Sequence, residues 1–389
     1  MKRVLIAFDK FKDAITAREA CEAAARGVHS VHPDWSCDLC PLTDGGDGFC
    51  ASLATAVQGD LESRPCTGPR GAGLSAPIGF VRIGNLSESI RTRLGFGPSS
   101  SGSLAVIEMA AVSGIALLPG AQRDPWHTSS FGTGELLRAA AQRGVDAILL
   151  GVGGSATNDL GLGALAALGF KFLDAEGSAI ANPTPATWKD IHSIDASAAI
   201  PLPRLFIACD VTNPLLGPNG ATAVFGPQKG LRAEDEPELE NQAGRLAGLL
   251  CSACGQSDAL ATVPGAGAAG GMAFGLMAAC KAQLVPGFPL VSDWLALPDR
   301  IASADLVLTG EGRFDATSLG GEGPGALMAL ASDADKPARL FAGSLETKTE
   351  DDDHFHAITP IGMPLSEALP RTAELLEAAV RETFAAEIR

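Results

Sequence analysis

Tyrosine is absent from this 389-residue chain, which removes phenol chemistry from any candidate site. Histidine is scarce, and His127, His192, His354 and His356 have no spaced partner that would make a zinc site or a catalytic triad. No G-x-S-x-G elbow occurs, which argues against a serine hydrolase. No G-x-x-x-x-G-K-[ST] occurs, which argues against a Walker-type phosphate loop. Positive charge is short: 29 Lys and Arg stand against 45 Asp and Glu, a net charge of −16. Such a field repels nucleic acid and anionic membranes, so neither is an expected partner. An anionic substrate would need a local cluster of Lys, Arg or backbone N–H groups, with a metal ion to help.

The opening MKRVLIAFDKFK turns charged again too soon for a secretory signal. The 9 cysteines, an odd number, read as reduced thiols in the cytoplasm. Cys37–Cys40 and Cys251–Cys254 have C-x-x-C spacing but lie far apart with few histidines nearby, a poor zinc pattern. Residues 259–280 carry no charge, yet the run is rich in Gly and Ala and holds a Pro. It reads as a packed interior segment, not a membrane span.

What is present is length, glycine and a repeating strand-to-loop pattern. A chain of 389 residues with 46 Gly and 25 Pro predicts two domains rich in turns. Val4–Phe8 reads as a strand ending at Asp9, and Thr16-x-x-Glu19 is a capping box that opens an Ala-rich helix. Ser36–Leu42 reads as the next strand, parallel to the first because a helix lies between them. TDGGDG at Thr43–Gly48 follows. Residues 65–103 are punctuated by Gly and Pro into short strand-like pieces and mark a change of character. Asp146–Leu150 reads as a buried strand running into GVGGSATNDLGLG and then a helix, the geometry of an anion-holding turn. Leu205–Cys209 and Ala304–Leu308 repeat the theme, the latter followed by TGEGRFD read as a loop. The fold class is α/β, with parallel units at both ends of the chain.

One chemical feature recurs. Apolar strands end at Asp9, Asp44, Glu108, Asp210 and Glu311, most of them running into glycine. Ligands of open parallel sheets sit outside the carboxyl ends of the strands. Glycine loops favour phosphate and carboxylates favour a divalent cation, so together they suggest Mg²⁺ with a nucleotide phosphate. Basic residues near these loops are few: Lys10, Lys12, Arg123, Lys229 and Arg313. Lys12 could reach a phosphate, whereas Arg313, between Glu311 and Asp315, could equally form a local salt bridge. Gly265-x-Gly267-x-x-Gly270 matches a dinucleotide fingerprint, but the residues before it make a poor strand.

These motifs resemble, nearly end to end and in order, the type I bacterial glycerate kinases. The resemblance is carried by DKFKDAITA at 9–17, PLTDGGDG at 41–48, IEMAAVSGIAL at 107–117, FGTGEL at 131–136 and GGSATND at 153–159. It continues through ACDVTNPLLGPNGATAVFGPQKG at 208–230, PGAGAAGG at 264–271 and TGEGRFD at 309–315. It implies ATP- and Mg²⁺-dependent phosphorylation of the small molecule D-glycerate, leaning to the 2-position, by a monomer or a homodimer. It also implies two domains: a discontinuous Rossmann- or flavodoxin-like one from 1–65 plus 290–389, and an inserted α/β domain, 66–289, carrying the GGSATND and ACDVTNP loops.

The same resemblance suggests roles. Lys12 and the Gly153–Gly154–Ser155 turn would meet phosphate, with Gly45, Gly46, Asn158 and Asp159 beside them. Asp210 or Asp44 would serve as base or metal ligand, and Arg313 would meet carboxylate or phosphate. Asp9, Glu311 and Asp315 are further metal or supporting candidates. Three stretches depart from the family pattern. Asp13 and Leu160 replace glycines, and Thr317 and Glu322 replace a Gln and a Lys. The last exchange keeps open an alternative, a non-catalytic or altered-substrate binding homologue. A nicotinamide-linked enzyme rests only on the 265–270 glycines.

Overall fold

Residues 1–43, 45–315, 323–346 and 354–387 are described by the structure, a computed structural model. The chain divides into two compact units, Met1–Asp44 with Val291–Arg389, and Gly45–Leu290.

The unit made from the two chain ends is built on a parallel sheet. Its strands are β1 (Arg3–Phe8), β2 (Ser36–Leu39), β11 (Leu306–Phe314), β12 (Ala338–Leu345) and β13 (Phe355–Ala357). Their order is β13-β12-β11-β1-β2, all parallel. β1 is buried from Val4 to Phe8, as expected of a strand covered on both faces. The helix Ala17–Val31 starts at the predicted box: Thr16 Oγ1 accepts from Glu19 N–H at 3.2 Å and Thr16 N–H donates to Glu19 Oε2 at 2.8 Å. This helix packs on the last one, Thr372–Glu387, and a Cβ on Gly27 would lie 2.7 Å from the Glu377 carbonyl. The order is flavodoxin-like, so β1 and β11 flank the point where strand order reverses and their carboxyl ends form the expected ligand crevice.

The Gly45–Leu290 unit has a mixed sheet. Its strands are β3 (Asp60–Thr67), β4 (Gly73–Arg82), β5 (Ser103–Glu108), β6 (Ala147–Gly151), β9 (Arg204–Ala208) and β10 (Gln283–Val285), in the order β10-β9-β6-β5-β4-β3. β5, β6, β9 and β10 are parallel, and β3 and β4 form an antiparallel hairpin on the edge. A separate two-stranded ribbon pairs β7 (Lys171–Leu173) with β8 (Ser193–Asp195). An apolar cluster running from Cys66 to Ala282 covers one face of the mixed sheet, and Leu53, Leu104, Val106 and Leu149 are buried outside that cluster.

Several expectations are corrected here. The broken stretch 65–103 contains most of the β3–β4 hairpin, closed by Gly71 at φ 85°. The helix Phe49–Ala56 packs on β4 and β5, so residues 45–65 associate with the 45–290 unit. β2 ends at Leu39 rather than Leu42. TGEGRF is not a loop, because β11 continues to Phe314 in register with Leu345. It does so because its glycines let the strands pack closely: a Cβ on Gly310 would lie 2.9 Å from Phe8 Cε1. None of the nine cysteines forms a disulfide. Among the described residues no helix is long and apolar enough to cross a membrane.

Asp13 takes the left-handed conformation at φ 61°, which accounts for the glycine at this place in the family pattern. Left-handed backbone costs a side-chain-bearing residue about 1–2 kcal/mol, whereas glycine loses about 0.5–1 kcal/mol in unfolded-state entropy. Asp13→Gly should therefore raise unfolding stability by up to about 1 kcal/mol in urea melts. A loss of similar size would mean that the Asp13 side chain makes a compensating interaction.

Candidate active site

In the unit made from the chain ends, the crevice beside β1 and β11 holds Asp9, Lys12, Glu311, Arg313 and Asp315. Asp9 is 8% exposed, and its Oδ1 accepts from Lys10 N–H at 2.7 Å with Lys10 Nζ 3.9 Å away. Its own N–H continues the sheet onto the Gly310 carbonyl at 2.9 Å. The carboxylate also faces the start of the helix Gly323–Asp333: a Cβ on Gly323 would lie 3.9 Å from Asp9 Oδ2. Lys12 is exposed on the turn that follows, and its amide sits where a Cβ on Gly312 would be 3.2 Å away. Arg313 is paired with Glu346 at 2.6 Å and with Asp315 at 3.5 Å, with 62% of its side chain exposed. The local salt bridge anticipated for it is therefore present. Asp44, Thr317 and Glu322 lie outside the described residues.

In the 45–290 unit, four loops meet backbone to backbone. The Gly153 N–H donates to the Gly45 carbonyl at 3.0 Å. A Cβ on Gly151 would lie 2.5 Å from that carbonyl, and one on Gly153 would lie 2.7 Å from the Gly46 amide nitrogen. Thus the TDGGDG glycines and the GVGG glycines are there for each other, and the Gly153 amide is already engaged. From the other side, Leu160 N–H donates to the Gly270 carbonyl at 3.0 Å, and a Cβ on Gly270 would lie 2.5 Å from Asn158 Cα. Ala269, Gly270 and Gly271 all have positive φ, which bends that loop around the GGSATND turn. Gly265–Gly270 follows a short 3-10 turn, Asp258–Thr262, so the dinucleotide reading has no strand to stand on. Gly267 N–H in turn donates to the Asn213 carbonyl of the ACDVTNP loop at 3.0 Å.

Within this cluster Gly154 is exposed and Gly153 half-exposed, whereas Ser155 through Leu160 are buried. Leu160 is left-handed at φ 55°, again where the family pattern carries glycine. Asp159 is fully buried and accepts from Ser130 N–H and Oγ–H at 2.7 Å each, Gly161 N–H at 3.1 Å and Gly163 N–H at 3.3 Å. It ties together the starts of the helices Phe131–Gln142 and Leu162–Ala167, a capping role. Burial pushes its carboxyl up from the usual range, against the pull of those hydrogen bonds. Thr157 Oγ1 and Asn158 Oδ1 are buried with no hydrogen-bond partner among the described residues.

Asp210, after β9, is also a cap. Both its oxygens accept from Phe288 N–H, at 3.0 and 2.8 Å, at the start of the helix Gly287–Trp294. A Cβ on Gly287 would lie 2.5 Å from Asp210 Oδ2, so the carboxylate fills the glycine's empty side. Glu108 likewise accepts from Cys50 N–H at 3.1 Å, in the first turn of Phe49–Ala56.

Sequence reasoning left Lys229 out of the site. It is 2% exposed, and its Nζ donates to the Thr157 carbonyl at 2.6 Å. Burial pulls its ammonium down to about 7, with the Asp159 charge pulling the other way. A lysine closing a long Gly/Pro/Asn loop was the available signal.

No group of three or more His, Cys, Asp or Glu able to hold a metal is assembled among the described residues. Mg²⁺ carried in with a nucleotide needs only one or two carboxylates besides phosphate oxygens. Asp210 fits that need: a carboxylate has about four lone-pair sites, so it can accept from Phe288 N–H and also meet a cation.

Glycine loops and carboxylates outside the carboxyl ends of parallel strands define an α/β protein of the class that handles small anionic ligands. The sequence profile of the glycerate kinase family matches residues 4–387. The chain is 37% identical to the glycerate kinase of Bacillus subtilis, over 98% of this chain and 97% of the relative. It is 38% identical to the glycerate 2-kinase of Escherichia coli K12, over 88% and 85%. A crystal structure of a Salmonella typhimurium LT2 protein assigned as glycerate kinase 2 matches with a TM-score of 0.74 at 37% identity, covering 100% of this chain and 98% of that one. The chain belongs to the glycerate kinase family.

Asp210→Asn keeps an oxygen for the Phe288 N–H while removing the charge. If the carboxylate acts on metal or proton, kcat should fall at least about 100-fold, with stability changed by no more than about 1 kcal/mol. An unchanged rate would leave Asp210 a cap and nothing more.

Proposed function

We propose that this protein transfers the terminal phosphoryl group of ATP to the 2-hydroxyl of D-glycerate, yielding 2-phosphoglycerate and ADP. The observation that carries this reading is the Gly151–Asp159 loop. It combines exposed glycines, a buried polar turn with unmet hydrogen-bonding capacity, and a close fit to the other glycine loops of its unit. Full-length membership of the glycerate kinase family supports it, and the name of the Escherichia coli relative supports the 2-position.

In this mechanism the 2-hydroxyl oxygen of glycerate forms a bond to the terminal phosphorus as the bond to ADP breaks. The hydroxyl proton passes to a carboxylate, for which Asp210 and Asp44 are the candidates. Transfer of this kind depends on alignment and charge neutralisation more than on covalent chemistry. Lys12, exposed after β1, suits the phosphate chain. In the 45–290 unit, Gly154 and Ser155 suit phosphate, because glycine lets the backbone approach it closely. Arg313 would have to leave Glu346 to reach a substrate carboxylate. Asp210 in the 45–290 unit, or Glu311 and Asp315 in the unit made from the chain ends, would hold Mg²⁺, which when bound neutralises phosphate charge.

The test is incubation with ATP, Mg²⁺ and D-glycerate, with ADP followed by a coupled assay and the product identified by NMR. The expected product is 2-phosphoglycerate, formed only with all three present. Binding of both ligands without turnover would overturn the kinase reading in favour of a binding protein, and 3-phosphoglycerate would overturn the regiochemistry.

A further inference from the structure

Lys229 has no part in the mechanism above, yet it is the lysine buried against the GGSATND turn. Two plain explanations for it fail. It does not complete the hydrogen bonding of Asp159, which already accepts four times from Ser130, Gly161 and Gly163. Nor is it efficient packing. Desolvating an ammonium costs several kcal/mol, and well-packed apolar side chains of similar volume often replace buried charges without loss of stability.

What the lysine does is brace one segment with another 72 residues away. Its own end is stiff. Lys229 N–H donates to the Gly226 carbonyl at 3.0 Å, Gly230 N–H to the Pro227 carbonyl at 3.0 Å, and Leu231 N–H to the Gly226 carbonyl at 3.0 Å. Gly230, at φ 94°, lies against Arg123 so closely that a Cβ would be 2.8 Å from the Arg123 carbonyl carbon. The other end is the turn in which Thr157 Oγ1 and Asn158 Oδ1 have no partner among the described residues. Unmet buried polar groups are destabilising, so such a turn needs a brace from outside to keep its shape.

We propose that Lys229 is a positioning residue, whose side chain fixes the Thr157 carbonyl and so sets the Ser155–Asp159 turn in the geometry required for phosphoryl transfer. This rests on the reading of that turn as part of the ligand loop.

Lys229→Met keeps the length and removes the donor, and Lys229→Arg keeps a donor. Steady-state kinetics and amide hydrogen exchange of the ligand-free protein read the effect. In the folded Met variant, kcat should fall about 100-fold, the loss expected of a misplaced reacting group, with each KM within about 3-fold. Exchange should accelerate over residues 155–160 and stay unchanged in the strands. The Arg variant should recover at least about 10-fold of the lost rate. An unchanged kcat, unchanged exchange at 155–160, or a general loss of protection across the unit would each overturn the proposal. Should the Met variant not fold, Lys229→Leu, which also lacks a donor, is read in the same way. If wild-type protein makes no phosphoglycerate, the kinase reading fails, while the exchange result still decides whether Lys229 braces the turn.

Discussion

The loops of the 45–290 unit touch backbone to backbone, and no side chain fits between them. Gly151 and Gly153 lie on Gly45 and Gly46, and Gly270 lies on Asn158. This contact sets everything nearby. It places the Gly153–Gly154 turn, it engages the Gly153 amide, and it encloses Thr157 and Asn158 so that Thr157 Oγ1 and Asn158 Oδ1 have no partner among the described residues. Protein interiors are close-packed and transmit strain, so a methyl group at any of these glycines would move the whole cluster.

The carboxylates at the strand ends have a more ordinary basis than their alignment suggests. Asp159, Asp210 and Glu108 each accept hydrogen bonds from backbone N–H groups in the first turn of a helix. An open α/β sheet brings strand ends and helix starts to the same edge, so carboxylates there gain a partner and a favourable dipole. Capping and chemistry are compatible. A carboxylate fixed by a backbone N–H is pre-aimed, and a carboxylate has lone-pair sites enough to cap a helix and meet a cation or a proton as well. Asp9 sits in the equivalent position of the other sheet, facing the start of the helix Gly323–Asp333.

Much of this was legible in the sequence. The buried strands β1, β5, β6 and β9 stood out because both faces are covered and their residues are continuously apolar. The Thr16–Glu19 box is a local signal and marked its helix accurately. The β3–β4 hairpin was obscured because Pro65 lies in the edge strand β3, where proline is tolerated, and Pro77 lies just before the part of β4 that pairs with β5. The extension of β11 through Gly310 and Gly312 was hidden because glycine ordinarily signals a turn, and only the neighbouring strand shows why it is needed here. The positive φ of Asp13 and Leu160 was marked by departure from a pattern of glycines. Lys229 stood out only as one of the few basic residues near the loops, and its role was hidden because burial and a long-range partner are tertiary facts, invisible in its neighbours.

The central claim is that the loops carrying the family motifs bind both substrates. Hydrogen exchange of the intact protein, with and without D-glycerate and a non-hydrolysable ATP analogue, tests it directly. Ligand-dependent protection is expected to concentrate in peptides spanning residues 9–15, 45–49, 151–160 and 264–271. Protection confined to other surfaces, with these four segments unchanged under saturating ligand, would contradict it.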